Sequence, residues 1–245
     1  AWLLTERADA AADDGEYGQA IRLYRQVLGT NPNALSAHAG LAEAFAATAD
    51  LDLALDHFKR AAELAAAAGD RPLEARLLLR LTDLLWTKQL FKEYSDILTG
   101  IAASDPALRE TEFADITERL ASVFATDGAD RVLVLYRLSE TYATEAHSRL
   151  AVFLVQSGRY RSAMAEALLA VTAAASTVIG ELIRFDPLYE FSTLGDALDR
   201  AREDAALVEY LATTTLYRDL YYLAAAAYGL PSVSDQRSVD VWRLL

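Results

Sequence analysis

The chain has 245 residues and a formal net charge of −13, from 23 basic and 36 acidic side chains. That balance excludes a nucleic-acid footprint and charge-driven attachment to an anionic membrane, both of which need clustered basic residues. Cysteine is absent, which excludes disulfides, thiol catalysis and Cys-ligated metals, and the 53% apolar content, with few Gly and Pro, suits close-packed helices better than sheet.

In chain order, residues 1–34 read as a first helical pair, with Leu4, Ala8, Gly15, Tyr17, Ala20, Tyr24, Val27 and Pro32 at its set phases. Gly15 suits the left-handed residue that closes a first helix. Residues 35–68 read as a second pair, marked by His38, Leu41, Ala42, Phe45, Ala54, Phe58 and Ala61. A third pair, 75–108, follows an insertion around Gly69, Asp70, Arg71 and Pro72, and carries Leu78, Leu81, Leu85, Phe91, Leu98, Ile101 and Pro106. Thr82 and Tyr94 occupy positions that are small elsewhere, which predicts a splayed pair. Residues 109–143 are helical by pattern, with a turn at Asp127–Gly128, but keep the register poorly. The register returns over 144–177, through His147, Leu150, Ala151, Leu154, Gly158, Tyr160, Ala163, Ala167 and Ala170. Residues 178–245 are helical again, with a turn at Asp186–Pro187 and a stop at Gly229-Leu230-Pro231. Val239, Val241, Trp242, Leu244 and Leu245 then suit a short final helix docked on the body. The longest weakly polar run, 167–180, is too short and too rich in Ala, Ser and Thr to span a bilayer.

Gly15, Tyr17, Ala20, Tyr24 and Pro32 recur 34 residues later as Ala49, Leu51, Ala54, Phe58 and Ala66, and after the insertion as Gln89, Phe91, Tyr94, Leu98 and Pro106. A period of 34 with small and aromatic residues at set phases is the mark of a helix–turn–helix repeat, because one such pair cannot bury both of its faces. The register resembles that of the tetratricopeptide repeat (TPR) family, over four units and a little more than half of the chain. The resemblance implies an all-α fold: a right-handed α-solenoid of TPR-like repeats over 1–177 (1–34, 35–68, 75–108, a degenerate 109–143, and 144–177), closed by a helical capping region over 178–245.

The resemblance also implies a non-catalytic protein–protein interaction scaffold that grips a partner segment in a concave groove, without cofactor or metal. In the family that groove is lined by first-helix phases 2, 5, 9, 12 and 13. Here those phases supply the candidate partner-binding residues Trp2, Thr5, Asp9, Asp13, Glu43, Arg76, Asp83 and Trp86. Phase 9 is acidic three times, as Asp9, Glu43 and Asp83, which would attract a peptide bringing Lys or Arg, or a cationic small molecule. The alternative is an acidic face that is simply solvated. Trp2 and Trp86 read either as groove anchors or as packing against a neighbouring repeat. The Lys and Asn with which chaperone-binding members hold a terminal carboxylate are missing, since phase 5 is Thr5, Ala39 and Leu79.

Tyr210, Tyr217, Tyr221 and Tyr228, spaced 7, 4 and 7 apart, share one face of a predicted last long helix. They read as a capping face buried against the array, or as a second interface. His38 and His147 stand at phase 4, where a large packing residue belongs, and His57 completes the histidines. No His pair with zincin spacing, Gly-rich phosphate loop, GxSxG elbow or Ser-x-x-Lys is present, so an enzyme is not expected. Two alternatives stand beside the scaffold: a small-ligand-binding or transporter-associated component of a bacterial envelope, and a self-associating assembly subunit, with a monomer preferred. The chain opens on Ala1 and holds one methionine, Met164, which leaves room for a signal peptide or lipid anchor upstream. The bacterial periplasm is accordingly the expected compartment, with the cytoplasm as its alternative.

Overall fold

The computed structural model describes residues 2–103, 141–185 and 204–230, and among them every regular element is an α-helix. These helices are α1 (Trp2–Asp13), α2 (Tyr17–Thr30), α3 (Leu35–Ala47), α4 (Leu51–Ala67), α5 (Arg71–Thr87), α6 (Phe91–Ala102), α7 (Thr141–Gln156), α8 (Tyr160–Phe185), α9 (Ala205–Thr213) and α10 (Leu216–Gly229). The degenerate repeat expected over 109–143 lies outside the described residues save for its last three, as do Pro106, the Asp186–Pro187 turn and the tail with Trp242. The chain forms two compact units, 1–97 and 98–245. The expected border between array and cap, at 177/178, falls inside α8, which runs unbroken.

Each helix pair is closed by the same backbone device. Gly15, Ala49, Gln89 and Gly158 all have positive φ, between 59° and 77°, and each stands two residues before a second helix begins. Around each, two hydrogen bonds satisfy the last carbonyls of the first helix. Glu16 N–H reaches the Ala11 carbonyl at 2.8 Å and Gly15 N–H the Ala12 carbonyl at 3.0 Å. The same two bonds recur at Asp50 and Ala49 (to Phe45 and Ala46), at Leu90 and Gln89 (to Leu85 and Trp86), and at Arg159 and Gly158 (to Leu154 and Val155). Gly69, with φ of 75°, closes α4 likewise, and the Asp70 carboxylate then caps α5 by accepting the Leu73 N–H at 3.1 Å. The insertion read around these residues is absorbed as helix, so that α4 and α5 are 17 residues each against 12–14 for α1 to α3.

In the unit 1–97, α1 packs on α2, α2 on α3, α3 on α4 and α4 on α5, and α1 also touches α3. The small residues at the repeated phases (Ala8, Ala20, Ala42 and Ala54) are fully buried, where a larger side chain would force the helices apart. Leu41, Phe45, Phe58, Leu81 and Leu85 fill the spaces they leave. In the third pair, Thr82 is buried with its hydroxyl on the Leu79 carbonyl at 2.7 Å, and Tyr94 is buried with its ring 5.2 Å from Trp86. In the unit 98–245, α8 packs along both α7 and α10, and α7 also touches α10. Ala146, Leu150 and Ala151 of α7, Ala163, Met164, Ala167 and Leu168 of α8, and Leu216, Leu223, Ala226 and Ala227 of α10 supply the shared core. No described helix is long and apolar enough to cross a membrane.

A Cβ at a left-handed residue costs about 1–2 kcal/mol. Ala49→Gly should therefore raise stability by roughly 0.5–1 kcal/mol, the released strain less the extra freedom of glycine in the unfolded chain. Gly15→Ala, with open space around its Cβ, should lower stability by about 1 kcal/mol through backbone strain alone. Denaturant titration of the two variants measures both.

Candidate interaction surfaces

The first helices α1, α3 and α5 present the phase-9 carboxylates equivalently, because Asp9, Glu43 and Asp83 each stand six residues before their closing residue. These helices adjoin one another in order: α1 touches α3, and α3 is tied to α5 by an ion pair between Glu43 and Arg80. The second helices are tied on their own side, where Lys59 of α4 pairs with Glu93 of α6 at 3.2 Å.

Each carboxylate of the expected acidic wall is individually engaged. The Tyr24 hydroxyl of α2 donates to Asp9 Oδ1 at 2.6 Å. Burial, and then Asp9 and Asp13 nearby, hold that phenol well above its usual range. The hydroxyl end of the Tyr24 ring lies against α3 at Gly40, where a Cβ would overlap it. Gly40→Ala should accordingly lower stability by about 1–3 kcal/mol, as overpacking does, seen as a fall in the denaturation midpoint.

The Arg80 guanidinium grips Glu43 with both arms, Nε to Oε1 at 2.9 Å and Nη2 to Oε2 at 2.7 Å. Its third arm, Nη1, reaches Asp83 Oδ2 at 3.3 Å. All three groups are about half exposed, so the network contributes little to stability, on the order of 0–1 kcal/mol per pair. It does place a cation between the carboxylates of two successive pairs. Reading one helix face at a time misses Arg80, which sits outside the groove phases; its spacing of three from Asp83 was the available signal.

Among the other candidates, Asp13 and Arg76 are exposed and Thr5 is half-buried. Trp2 is 74% exposed beside Leu3, which is 65% exposed. Trp86 is 37% exposed and packs edge-on against Phe91, with centroids 5.3 Å apart, within its own helix pair.

The tyrosine face takes a different form from the one expected. The last long helix is two helices, parted at Thr214, whose backbone is extended. Tyr210 is on α9, while Tyr217, Tyr221 and Tyr228 are on α10, so the four do not share one helical face. The hydroxyls of Thr213 and Thr214 donate to the Tyr210 and Leu211 carbonyls, each at 2.7 Å, and so compete with helix continuation. The face of α10 that is buried is Leu216, Asp219, Leu223, Ala226 and Ala227, and Tyr217, Tyr221 and Tyr228 point outward, the last 83% exposed.

Beneath that face lies a polar junction between α7 and α10. Asp219 is buried and accepts a hydrogen bond from Ser148, whose hydroxyl in turn accepts from Arg218 Nη2 at 2.7 Å. Arg218 and Arg149 both bond Glu145, at 3.0 and 2.8 Å. Each phase-4 histidine also meets a phase-23 partner 19 residues on: His38 Nδ1 lies 2.9 Å from His57 Nδ1, and His147 Nδ1 lies 2.6 Å from Glu166 Oε2. No group of three or more metal-ligating side chains occurs among the described residues.

No protein-family model matches the chain. It is similar to an uncharacterized protein of Borreliella burgdorferi, with 21% identity over 160 residues that cover 65% of this chain and 49% of that protein. The chain thus spans about half the length of this curated relative.

Burial pushes the Asp219 carboxyl above its ordinary range, against the opposing pull of Ser148, Thr215 and Arg218. A carboxyl raised in the folded state holds its proton more tightly there than in the unfolded chain. Its contribution is therefore complete at low pH and is lost as pH rises from about 3.9 through the folded value. Asp219→Asn removes that loss. Urea unfolding across pH should show a flatter decline above about pH 4 than in wild type; an unchanged slope would mean that Asp219 titrates like a solvated acid.

Proposed function

We propose that residues 1–97 belong to a right-handed TPR-like array that acts as a non-catalytic scaffold and holds a basic segment of a partner protein along α1, α3 and α5. The observation that carries this reading is the equivalence of Asp9, Glu43 and Asp83, each six residues ahead of a left-handed closing residue on adjoining first helices. The matching closure at Gly158 and the matching His147–Glu166 contact support the same register in α7 and α8. Arg80 already satisfies Glu43 with the two-armed geometry that a partner's arginine would use, so a ligand guanidinium has Arg80 to displace.

The test is fluorescence anisotropy of labelled arginine-containing peptides on the full chain. Replacing Asp9, Glu43 and Asp83 together by Ala should weaken binding about tenfold or more, the effect of roughly 1.4 kcal/mol spread over three exposed charges. Arg80→Ala should tighten it by releasing Glu43 from its internal guanidinium. Equal affinity of the triple variant and the wild type refutes the acidic wall as the binding surface.

A further inference from the structure

The histidine pair at the α2–α3 turn has a bonding pattern that fixes where its protons sit. His38 Nε2 lies 3.0 Å from the Pro32 carbonyl oxygen, which can only accept, so this nitrogen carries a hydrogen. A neutral His38 then presents a lone pair at Nδ1. His57 Nδ1, 2.9 Å away, must be the donor, which leaves His57 Nε2 as the place where one further proton can enter. That first proton keeps the bond, since an imidazolium still donates from Nδ1. A second one would put hydrogens on both facing nitrogens and break it. The pair thus tolerates a single added proton.

The surroundings resist even that one. His38 is buried, and the His57 ring stacks on Phe45 with centroids 5.7 Å apart and planes 11° from parallel. The Arg25 guanidinium lies 5.6 Å over that same Phe45 ring. The charged groups acting on His57 are Arg25 from α2 and Asp56 from α4 itself, together with the His38 ring from α3. Burial comes first and lowers His57 below the ordinary imidazole value, His38 and Arg25 lower it further, and Asp56 opposes them.

We propose that His38 and His57 form an acid-sensitive joint between the Pro32 turn, α3 and α4, closed while the pair shares its proton and opened when both rings become imidazolium. The joint stands independently of the partner-binding reading. The second helix pair differs here from α7 and α8, where the equivalent partner of His147 is a carboxylate, Glu166, which can only accept. Depressed protonation of His57 in the folded state means that the unfolded chain binds more protons, so stability falls as pH drops from about 6.5 toward the folded value.

Two measurements test the joint. In the unmodified full chain, nitrogen–proton correlation spectra of the imidazoles at about pH 8 should show His38 as the Nε2–H tautomer and His57 as the Nδ1–H tautomer, with linked titration on acidification. In parallel, hydrogen exchange of α3 and α4 amides, corrected for intrinsic rate, should accelerate relative to α1 between about pH 7.5 and 5, by about tenfold per unit that the pair's second protonation lies below the ordinary value. His57→Glu copies the His147–Glu166 arrangement and should abolish or reverse that acceleration. Independent titration of the two rings, the opposite tautomers, or equal acid sensitivity in wild type and His57→Glu would overturn the proposal, and the spectra of the unmodified chain decide the matter if the variant does not fold.

Discussion

The helix pairs of residues 2–103 and 141–185 follow from how a helix is made to stop and reverse within three residues. At Gly15, Ala49, Gln89 and Gly158 one residue turns left-handed, two backbone bonds close the helix behind it, and the next helix starts two positions on. Because the reversal is the same each time, side chains at a given distance before it face the same way in every pair. That is what buries Ala8, Ala20, Ala42 and Ala54 at equivalent positions. It also aligns three carboxylates on adjoining helices. The reversal is strong enough to be enforced on Ala49 and Gln89, residues that gain nothing from a positive φ themselves.

The surface that results is acidic, and each of its aligned carboxylates has a partner within the chain. Asp9 is held by Tyr24, a residue whose ring also presses on Gly40, so one side chain links α1, α2 and α3. Glu43 and Asp83 share Arg80. A chain of net charge −13 thus places a cation between two of its aligned carboxylates, which limits the repulsion between them without burying any charge. In the second unit, by contrast, the charge network around Asp219 is partly buried, where its bonds matter more and its protonation is altered.

The helical class and the left-handed stop at Gly15 were legible in the sequence, because they depend on the local spacing of small, aromatic and turn residues, whereas the helix expected from residue 75 starts at Arg71. What escaped was of two kinds. The break at Thr214 lacks Gly or Pro and interrupts a good apolar period; its signal was the run Thr213-Thr214-Thr215, of which the first two hydroxyls serve the backbone in place of a helix. Cross-helix partners such as Arg80 with Glu43, 37 residues apart, or Arg218 with Ser148, 70 apart, have no local signature at all. The matched separation of 19 in His38–His57 and His147–Glu166 was present in the register, but phase 23 has no set residue type to draw the eye.

The 26 residues of α8 extend roughly 39 Å, nearly twice the length of α2. A rod of that reach touches α7 and α10 along its flanks while those two also touch each other, a closed triangle of contacts. In residues 1–97 each helix leans mainly on its sequence neighbours, so thermal opening can begin at one end and advance pair by pair. Among the described helices of the second unit, loosening any one of these three exposes the other two, so they are expected to melt as a single cooperative block.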